Sequence, residues 1–371
     1  MLCIALPIST AAQDFDPFGT VSLPVDFTLD GQGSNVDSIA FYEAPDPDDA
    51  LLFVTSKASQ LVEIWRQPFV GNELTPLTHP SFAQGSSQVN GIAIDQLTDR
   101  LYVAVGSPAS TVSTFSLPGL AFAGEFIAGA VDLRAEPNLA LLRLDGGGTR
   151  LYVSADTVVY VRDASSGADL GSFVPEVGLE TMVSDALEQT LHIPDENGGS
   201  GIYTYDPDGA PAPAPGANVF GDGGIFQADE EGILLYTCPS HGLRDDGRGF
   251  FVVSDQRASE TDFEFFDRSS RQHLGTLWLD GVSNTDGIAS TQRPLPGHPR
   301  GLFAAIDNDQ TTVGVDWQRI LDATGLSCGP DADSVPSLPV SWIGVLGALL
   351  LATAHASWRG RLRAPRPCAR G

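Results

Sequence analysis

The chain has 371 residues, of which 42% are apolar and 18% charged, with 40 glycines, 26 prolines and four cysteines. This apolar fraction is too high for a disordered chain, and so many glycines and prolines favour turns over long helices. The 47 acidic against 20 basic residues give a net charge of −27, which argues against nucleic acid or an anionic membrane surface as a partner and is consistent with cation binding or simply with solubility.

The N-terminal segment, residues 1–13, is a short apolar run that ends in small residues, Ser9-Thr10-Ala11-Ala12. Signal peptidase accepts small residues of this kind, so the segment is interpreted as the remnant of an export signal. An N-terminus without any targeting role is the alternative.

Six apolar triplets, most containing an aromatic residue, recur along the middle of the chain at intervals of about 40 to 60 residues. Most are preceded by an apolar strand and a turn and followed by a third strand. This repeat predicts an all-β fold, a six-bladed β-propeller with four-stranded antiparallel blades, over residues 25–321. A pair of β-sandwiches is the alternative, although it would not require the triplet to recur. The triplets begin at Leu52, Leu101, Leu151, Leu191, Phe250 and Leu302.

The C-terminal part is predicted to leave the propeller through a linker, residues 322–339. Residues 340–357 carry no ionisable side chain except His355, and about this length crosses a bilayer. The sequence therefore predicts a transmembrane or sorting helix over 340–358 and a basic tail over 359–371. A buried core helix is the alternative. The basic residues of the tail are Arg359, Arg361, Arg363, Arg366 and Arg370.

The order of these C-terminal segments, a proline-containing stretch at 335–339, the apolar span and the arginine cluster, resembles the C-terminal sorting tails of exported Gram-negative proteins. The resemblance implies export to the cell surface or outer envelope, or secretion after the tail is clipped. Cys3 and Cys368 belong to the end segments. In an exported chain, the remaining Cys238 and Cys328 are candidates for one disulfide.

Acidic residues recur beside the predicted strands. Because the inner strands of a propeller face a common axis, acids at equivalent positions converge at one mouth of the channel and repel one another unless a cation neutralises them. Ca²⁺ suits such a site because it accepts six to eight oxygen ligands in flexible geometry. The sequence has no HExxH, no GxSxG and no Cys/His cluster, so zinc chemistry and a serine nucleophile lack support. The acids are Asp37, Glu180, Asp195, Glu196, Asp229, Glu230, Glu231, Asp280, Asp286, Asp307 and Asp309.

Several segments of the chain together resemble the β-propeller phytases, most strongly after Glu180. Residues 179–182 and 195–196 match the acids of that family's fourth blade, and residues 315–320 are similar to its closing strand. The segments that match its fifth and sixth blades are DEEGILLY (229–236), GRGFFVVSDQ (247–256), FFDR (265–268), DGVSNTDGI (280–288) and GLFAAID (301–307).

The resemblance implies a calcium-dependent phosphomonoesterase, a 3-phytase-like enzyme that hydrolyses phytate (myo-inositol hexakisphosphate) with metal-activated water. Lys57 would grip a phosphate and act with Glu180 in catalysis, and Gln256 would contact the substrate. We expect the protein to be a monomer. The implied calcium ligands are Glu180, Glu196, Asp229, Glu231 and Asp286, with Asp280 in an adjacent metal site and Asp37 from the first blade.

Some phosphate-binding cations of the family have no counterpart here. The second-blade arginine would fall near 106–108, the third-blade aromatic residue at Asn138 and the third-blade lysine near Asp156. Replacement by an arginine on a neighbouring strand is one interpretation. The other is a catalytically weakened or inactive propeller that keeps its calcium and serves as a surface binding module. The candidate replacements are Arg134, Arg143 and Arg162.

Overall fold

The protein is an all-β, six-bladed propeller in a computed structural model that describes residues 15–328, apart from 128–129, 135, 198–199, 213–217 and 239–244. The predicted signal remnant (1–13), the predicted spanning helix (340–358) and the basic tail (359–371) lie outside the described residues. Within the described ranges, no helix has the length and apolarity needed to span a membrane.

The chain begins with two short strands, β1 (Gly19–Leu23) and β2 (Phe27–Leu29), that join sheets formed much later in the sequence. It then builds the first three blades. Their strands are β3 (Val36–Tyr42), β4 (Leu51–Ser56) and β5 (Leu61–Arg66), with a 3₁₀ turn at Pro47–Asp49; β6 (Val89–Asp95), β7 (Arg100–Val105), β8 (Thr111–Ser116) and β9 (Ala121–Phe126); and β10 (Leu139–Arg143), β11 (Thr149–Ala155), β12 (Val158–Asp163) and β13 (Asp169–Phe173).

The later part of the described residues builds three further blades, and a helix follows them. The elements are β14 (Val183–Asp185), β15 (Thr190–Pro194), β16 (Ile202–Tyr205) and β17 (Val219–Phe220); β18 (Asp229–Cys238), β19 (Arg248–Gln256), β20 (Asp262–Asp267) and β21 (His273–Leu279); β22 (Ile288–Thr291), β23 (Leu302–Asp307) and β24 (Thr311–Asp316); and α1 (Trp317–Thr324).

The predicted repeat is confirmed, because all six triplets lie on the second strand of a sheet, namely on β4, β7, β11, β15, β19 and β23. These strands are almost wholly buried, since each sheet packs its two faces against the neighbouring sheets. The first strand of each sheet contacts the first strand of the next, and β22 contacts β3, so the ring closes.

Two blades do not have the predicted four strands. The first sheet has three, and an irregular segment at 73–77 follows its outer strand through isolated bridges from Trp65 to Glu73 and from Val62 to Leu77. The fifth sheet has five, because β1 adds in parallel to β21. In the sixth sheet, β2 pairs with β24 and supplies the outer strand, so the N-terminal segment closes the ring.

The end of the packed region differs from the predicted closing strand at 315–320. The strand β24 stops at Asp316, whose side chain accepts a hydrogen bond from the Gln318 backbone N–H and caps α1. Helix α1 then buries Trp317 and Ile320 against the fifth and sixth blades and ends at Gly325 in the left-handed conformation. The packed region therefore extends beyond 321.

The candidate disulfide is present. It joins Cys238 at the end of β18 to Cys328 after α1, and the two Cα atoms are 5.3 Å apart. It joins the fifth blade to the segment that follows the sixth. The pairing and the closing strand β2 therefore tie the two ends of the propeller together by separate means.

Adjacent inner strands approach so closely that two positions tolerate only glycine. A Cβ added to Gly287 would overlap the Asp37 carbonyl oxygen, and one added to Gly91 would lie 2.6 Å from the Cα of Asn138. In the second case the Gly91 N–H also donates to the Pro137 carbonyl oxygen at 2.8 Å. Close backbone contact between neighbouring inner strands thus limits the width of the channel.

A methyl group at this contact should destabilise the ring. We expect Gly287→Ala to lower the free energy of unfolding by about 1–3 kcal/mol, because the neighbouring backbone must shift. The matched control is Gly146→Ala, where an added Cβ meets nothing within 4 Å; its effect should stay within about 0.5 kcal/mol. Chemical unfolding measures both, and equal effects would contradict the steric account.

Candidate functional site

The six inner strands surround one cavity of about 110 Å³ at the end of the channel where these strands begin. Residues from all six blades line it. Four of the seven predicted metal ligands are among them, each from a different blade: Asp37, Glu180, Glu231 and Asp286. Asp37 is 2% exposed and Glu180 and Glu231 are each 8% exposed, so these three carboxylates are nearly excluded from solvent.

A repeated local geometry places two of these acids, Asp37 and Glu231. The pairing of β3 with β4 shifts register between Val36 and Ile39, and the pairing of β18 with β19 shifts between Glu230 and Ile233. Such bulges insert an unpaired residue and bend the strand. A hydroxyl on the second strand holds the bulge in each case: Thr55 accepts from the Ser38 N–H at 2.9 Å, and Ser254 accepts from the Gly232 N–H at 2.7 Å.

The convergence of negative charge raises the pKa values of the cavity carboxyls. Burial, followed by the charges of Asp37 and Glu231, raises the pKa of Glu180 to about 10. Burial and the Asp286 charge raise the pKa of Glu231 to about 9, and burial and the Asp37 charge raise that of Asp286 to about 8. Burial also raises the pKa of Asp37. Without a cation, Glu180, Glu231 and Asp286 therefore favour the protonated form at neutral pH.

Lys57, the predicted phosphate-binding cation, lies inside this acidic mouth. It follows β4, is 6% exposed, and its Nζ lies 2.5 Å from Asp37 Oδ2. It also donates to Glu136 Oε1 at 3.2 Å, and the charge of nearby Glu180 is among the causes that raise the Lys57 pKa. The ammonium is thus enclosed by carboxylates from the first, third and fourth blades.

The remaining predicted site residues divide into two groups. Glu196, Asp229 and Gln256 lie near the cavity: the charges of Glu196 and Asp229 both raise the pKa of Glu231, and Gln256 Nε2 donates to Asp286 Oδ1. The structure does not bring Asp280 to the cavity. It is exposed beyond the outer strand β21, where it accepts a hydrogen bond from Ser22 Oγ on β1.

Of the three arginines considered as replacement cations, only Arg134 lies on the same side of the propeller as the cavity. Its backbone carbonyl accepts from the Ser107 N–H in the loop after β7, and its side chain is exposed beside Asp132. Arg143 ends the strand β10, whose other end lines the cavity next to Asn138. Arg162 is buried on β12 and pairs with Asp169 of the next strand.

Two residues near the site were not predicted from the sequence to belong to it. Glu136 binds Lys57, and Asn90 occupies the position on β6 equivalent to Asp37 on β3. The sequence does mark such positions with a repeated three-residue motif, in which a polar residue is followed by a small residue and then by isoleucine. It reads Asp37-Ser38-Ile39, Asn90-Gly91-Ile92, Glu231-Gly232-Ile233 and Asp286-Gly287-Ile288.

Within the described part of the chain, two other groups bring three acidic or histidine side chains together, with ligand atoms within 4.8 Å of one another. In the first, Asp185 accepts from the buried Arg268 at 2.5 and 2.6 Å, and Glu188 pairs with Arg271. Arginine charge already neutralises this group. The group comprises Asp185, Glu188 and His192.

The second group lies in the fifth blade. Arg257 pairs with Asp255 at 3.0 Å and with Asp262, and Glu264 accepts from Thr276 Oγ1 at 2.9 Å. Both groups are therefore compensated by protein cations. The four cavity carboxylates do not meet this distance criterion, and among the described residues Lys57 is the cation placed beside them.

No protein-family model matches the sequence, and no curated protein matches it. A chain from the crystal structure of a mitotic checkpoint complex aligns with 85% of this chain and 97% of its own length, with a TM-score of 0.51 and 11% sequence identity. At this identity the likeness shows the propeller fold alone.

The raised pKa values predict how stability depends on pH when divalent ions are chelated. The folded-state pKa values of Glu180, Glu231 and Asp286 lie above the unfolded values of about 4, so the folded protein binds more protons between these limits. Stability from these groups is therefore greatest at low pH and falls as pH rises towards about 9.

We expect the melting temperature in EGTA to fall from about pH 5 to about pH 9 and the fall to be shallower in Glu180→Gln, which removes one buried charge. The exposed Glu176→Gln is the matched control and should retain the wild-type slope. Differential scanning calorimetry across this range measures the effect. Parallel wild-type and Glu180→Gln profiles would show that the cavity acids do not repel one another.

Proposed function

We propose that the protein is a calcium-dependent phosphomonoesterase of the β-propeller phytase type, acting on phytate or a related phosphomonoester. The observation that carries the proposal is the meeting of four carboxylates from four blades in one cavity at the mouth of the channel. Such a concentration of buried negative charge is costly without a cation, so it favours a metal centre over a solvated acidic surface.

The residues around the cavity fit a hard divalent cation. Their donor atoms are carboxylate oxygens, the ligands that Ca²⁺ prefers. At the equivalent position on β6, both polar side-chain atoms of Asn90 are buried without a hydrogen-bond partner among the described residues. The Lys57 ammonium already supplies one positive charge between Asp37 and Glu136.

The side chains of the site would then serve as calcium ligands, as an orienting group and as a phosphate-binding cation. Glu180, Glu231 and Asp286 would hold calcium, with Gln256 orienting Asp286 through its hydrogen bond. When bound, calcium would supply positive charge to the phosphate oxygens and lower the pKa of a bound water. Lys57 would contribute a further positive charge to a substrate phosphate, as the only lysine in the chain.

A calcium-stabilised binding module is the second candidate, and the disposition of the cations favours it. Lys57 is held by two carboxylates, and neither Arg143 nor Arg162 reaches the cavity. Each charge-assisted contact to phosphate that is missing costs about 1.5–3 kcal/mol. A propeller that keeps its metal ligands but grips phosphate weakly would serve as a scaffold.

Phosphate release from phytate distinguishes the two candidates. For the enzyme, we expect release with Ca²⁺, none with EGTA, and a fall in kcat/KM of about 100-fold or more in Glu180→Gln, because one ligand charge at the reacting centre is lost. Glu176→Gln is again the control and should retain full activity.

Thermal unfolding with and without Ca²⁺ completes the test, because a ligand that binds only the folded state raises the melting temperature. A rise in melting temperature without phosphate release between about pH 5 and 9 would favour the binding module. A melting temperature that is insensitive to both Ca²⁺ and EGTA would contradict the calcium centre itself.

A further inference from the structure

Lys57 pairs with Asp37, a carboxylate that lines the cavity and that a metal ion there would also use. Its Nζ lies 2.5 Å from Asp37 Oδ2, which is within the range of calcium–oxygen bond lengths, about 2.3–2.6 Å. The oxygen that would bind an ion is thus already capped by a charged nitrogen. The ammonium is 7% exposed at its side chain, so it is enclosed with its partner rather than lying above it.

The surrounding charges hold the ammonium in this place. Asp37, Glu180 and Glu136 all favour its charged form and outweigh the desolvation that opposes it. Lys57 in turn partly offsets the rise in the pKa values of Asp37, Glu180 and Asp286 that burial causes. One ammonium therefore offsets part of the charge of Asp37, Glu180 and Asp286, which are three of the carboxylates predicted to bind metal.

We propose that Lys57 is a tethered counter-ion that competes with the divalent cation for Asp37, so that calcium binding displaces the ammonium from Asp37. The inference rests on the proposed calcium centre and adds a regulatory role for its only lysine. An ammonium in contact with Asp37 disfavours Ca²⁺ on the same carboxylate, because the two cations repel one another and compete for one ligand group.

The exchange links metal loading to substrate binding. While Lys57 pairs with Asp37 and Glu136, its ammonium is not free to contact a phosphate. Once a divalent cation binds Asp37, the ammonium remains tethered beside the mouth of the cavity. Of the two acids that pair with it, it then keeps only Glu136, which is partly exposed. The metal-loaded protein would then present a positive charge that the metal-free protein keeps buried.

The single lysine gives a direct readout that needs no substrate. Acetylation by an N-hydroxysuccinimide ester, followed by mass spectrometry of the peptide that contains Lys57, measures how accessible the ammonium is. We expect slow acetylation in EGTA and a rate about tenfold higher or more at saturating Ca²⁺. An unchanged rate while calorimetry shows Ca²⁺ bound would overturn the proposal.

Calcium titration of two variants tests the competition itself. In Lys57→Met, which removes the charge, we expect the apparent Kd for Ca²⁺ to fall about tenfold or more, since one competing unit charge leaves the cavity. Lys57→Arg keeps the charge and serves as the control, with a Kd near that of the wild type. If Lys57→Met binds Ca²⁺ no more tightly than the wild type, the competition is absent.

These measurements separate this inference from the enzyme proposal. A protein that releases no phosphate from phytate, yet exposes Lys57 on binding Ca²⁺, would support the exchange and contradict the enzyme. A wild type that binds no Ca²⁺, beside a Lys57→Met variant that does, would overturn the exchange, because the lysine would then block the site permanently. Absence of Ca²⁺ binding in both proteins would overturn the exchange and the calcium centre together.

Discussion

The close approach of the six inner strands is the constraint on which the remaining structure depends. At Gly287 the backbone of the sixth blade meets the carbonyl of Asp37 in the first with no room for a side chain. Strands packed this closely carry their polar ends into one small cavity. The electrostatic strain among Asp37, Glu180, Glu231 and Asp286 is therefore a consequence of closing the ring, and it calls for positive charge at that point.

The protein supplies positive charge differently at its acidic groups. Arg268 reaches from the fifth blade to the buried Asp185 of the fourth, and Arg257 neutralises Asp255 and Asp262. These pairs join neighbouring strands and blades. At the axis there is one lysine among several carboxylates, so protein cations neutralise the converging acids less fully than they neutralise Asp185, Asp255 and Asp262. This imbalance distinguishes a candidate metal centre from structural ion pairs made of the same residue types.

Closure of the ring relies on both ends of the propeller. The strand β2 completes the sixth sheet and β1 extends the fifth, while Cys238 and Cys328 connect the fifth blade to the segment after α1. Opening the ring would separate the inner strands and remove the cavity. The stability of these outer contacts is thus coupled to the geometry of the acids at the axis, although they lie at the periphery of the blades.

The sequence by itself determined the number of blades and the place of each second strand, because an apolar triplet must recur wherever a sheet buries both faces. The repeated polar–small–isoleucine pattern also marks most of the inner-strand acids. Tertiary structure decided which acids meet. Asp280 and Asp286 are six residues apart, yet one follows an outer strand and the other precedes an inner one. The connection between them runs from the outer edge of one blade to the inner edge of the next, a distance that spacing along the chain does not encode. Spacing along the chain does not predict the pairing of Lys57 with Glu136 either.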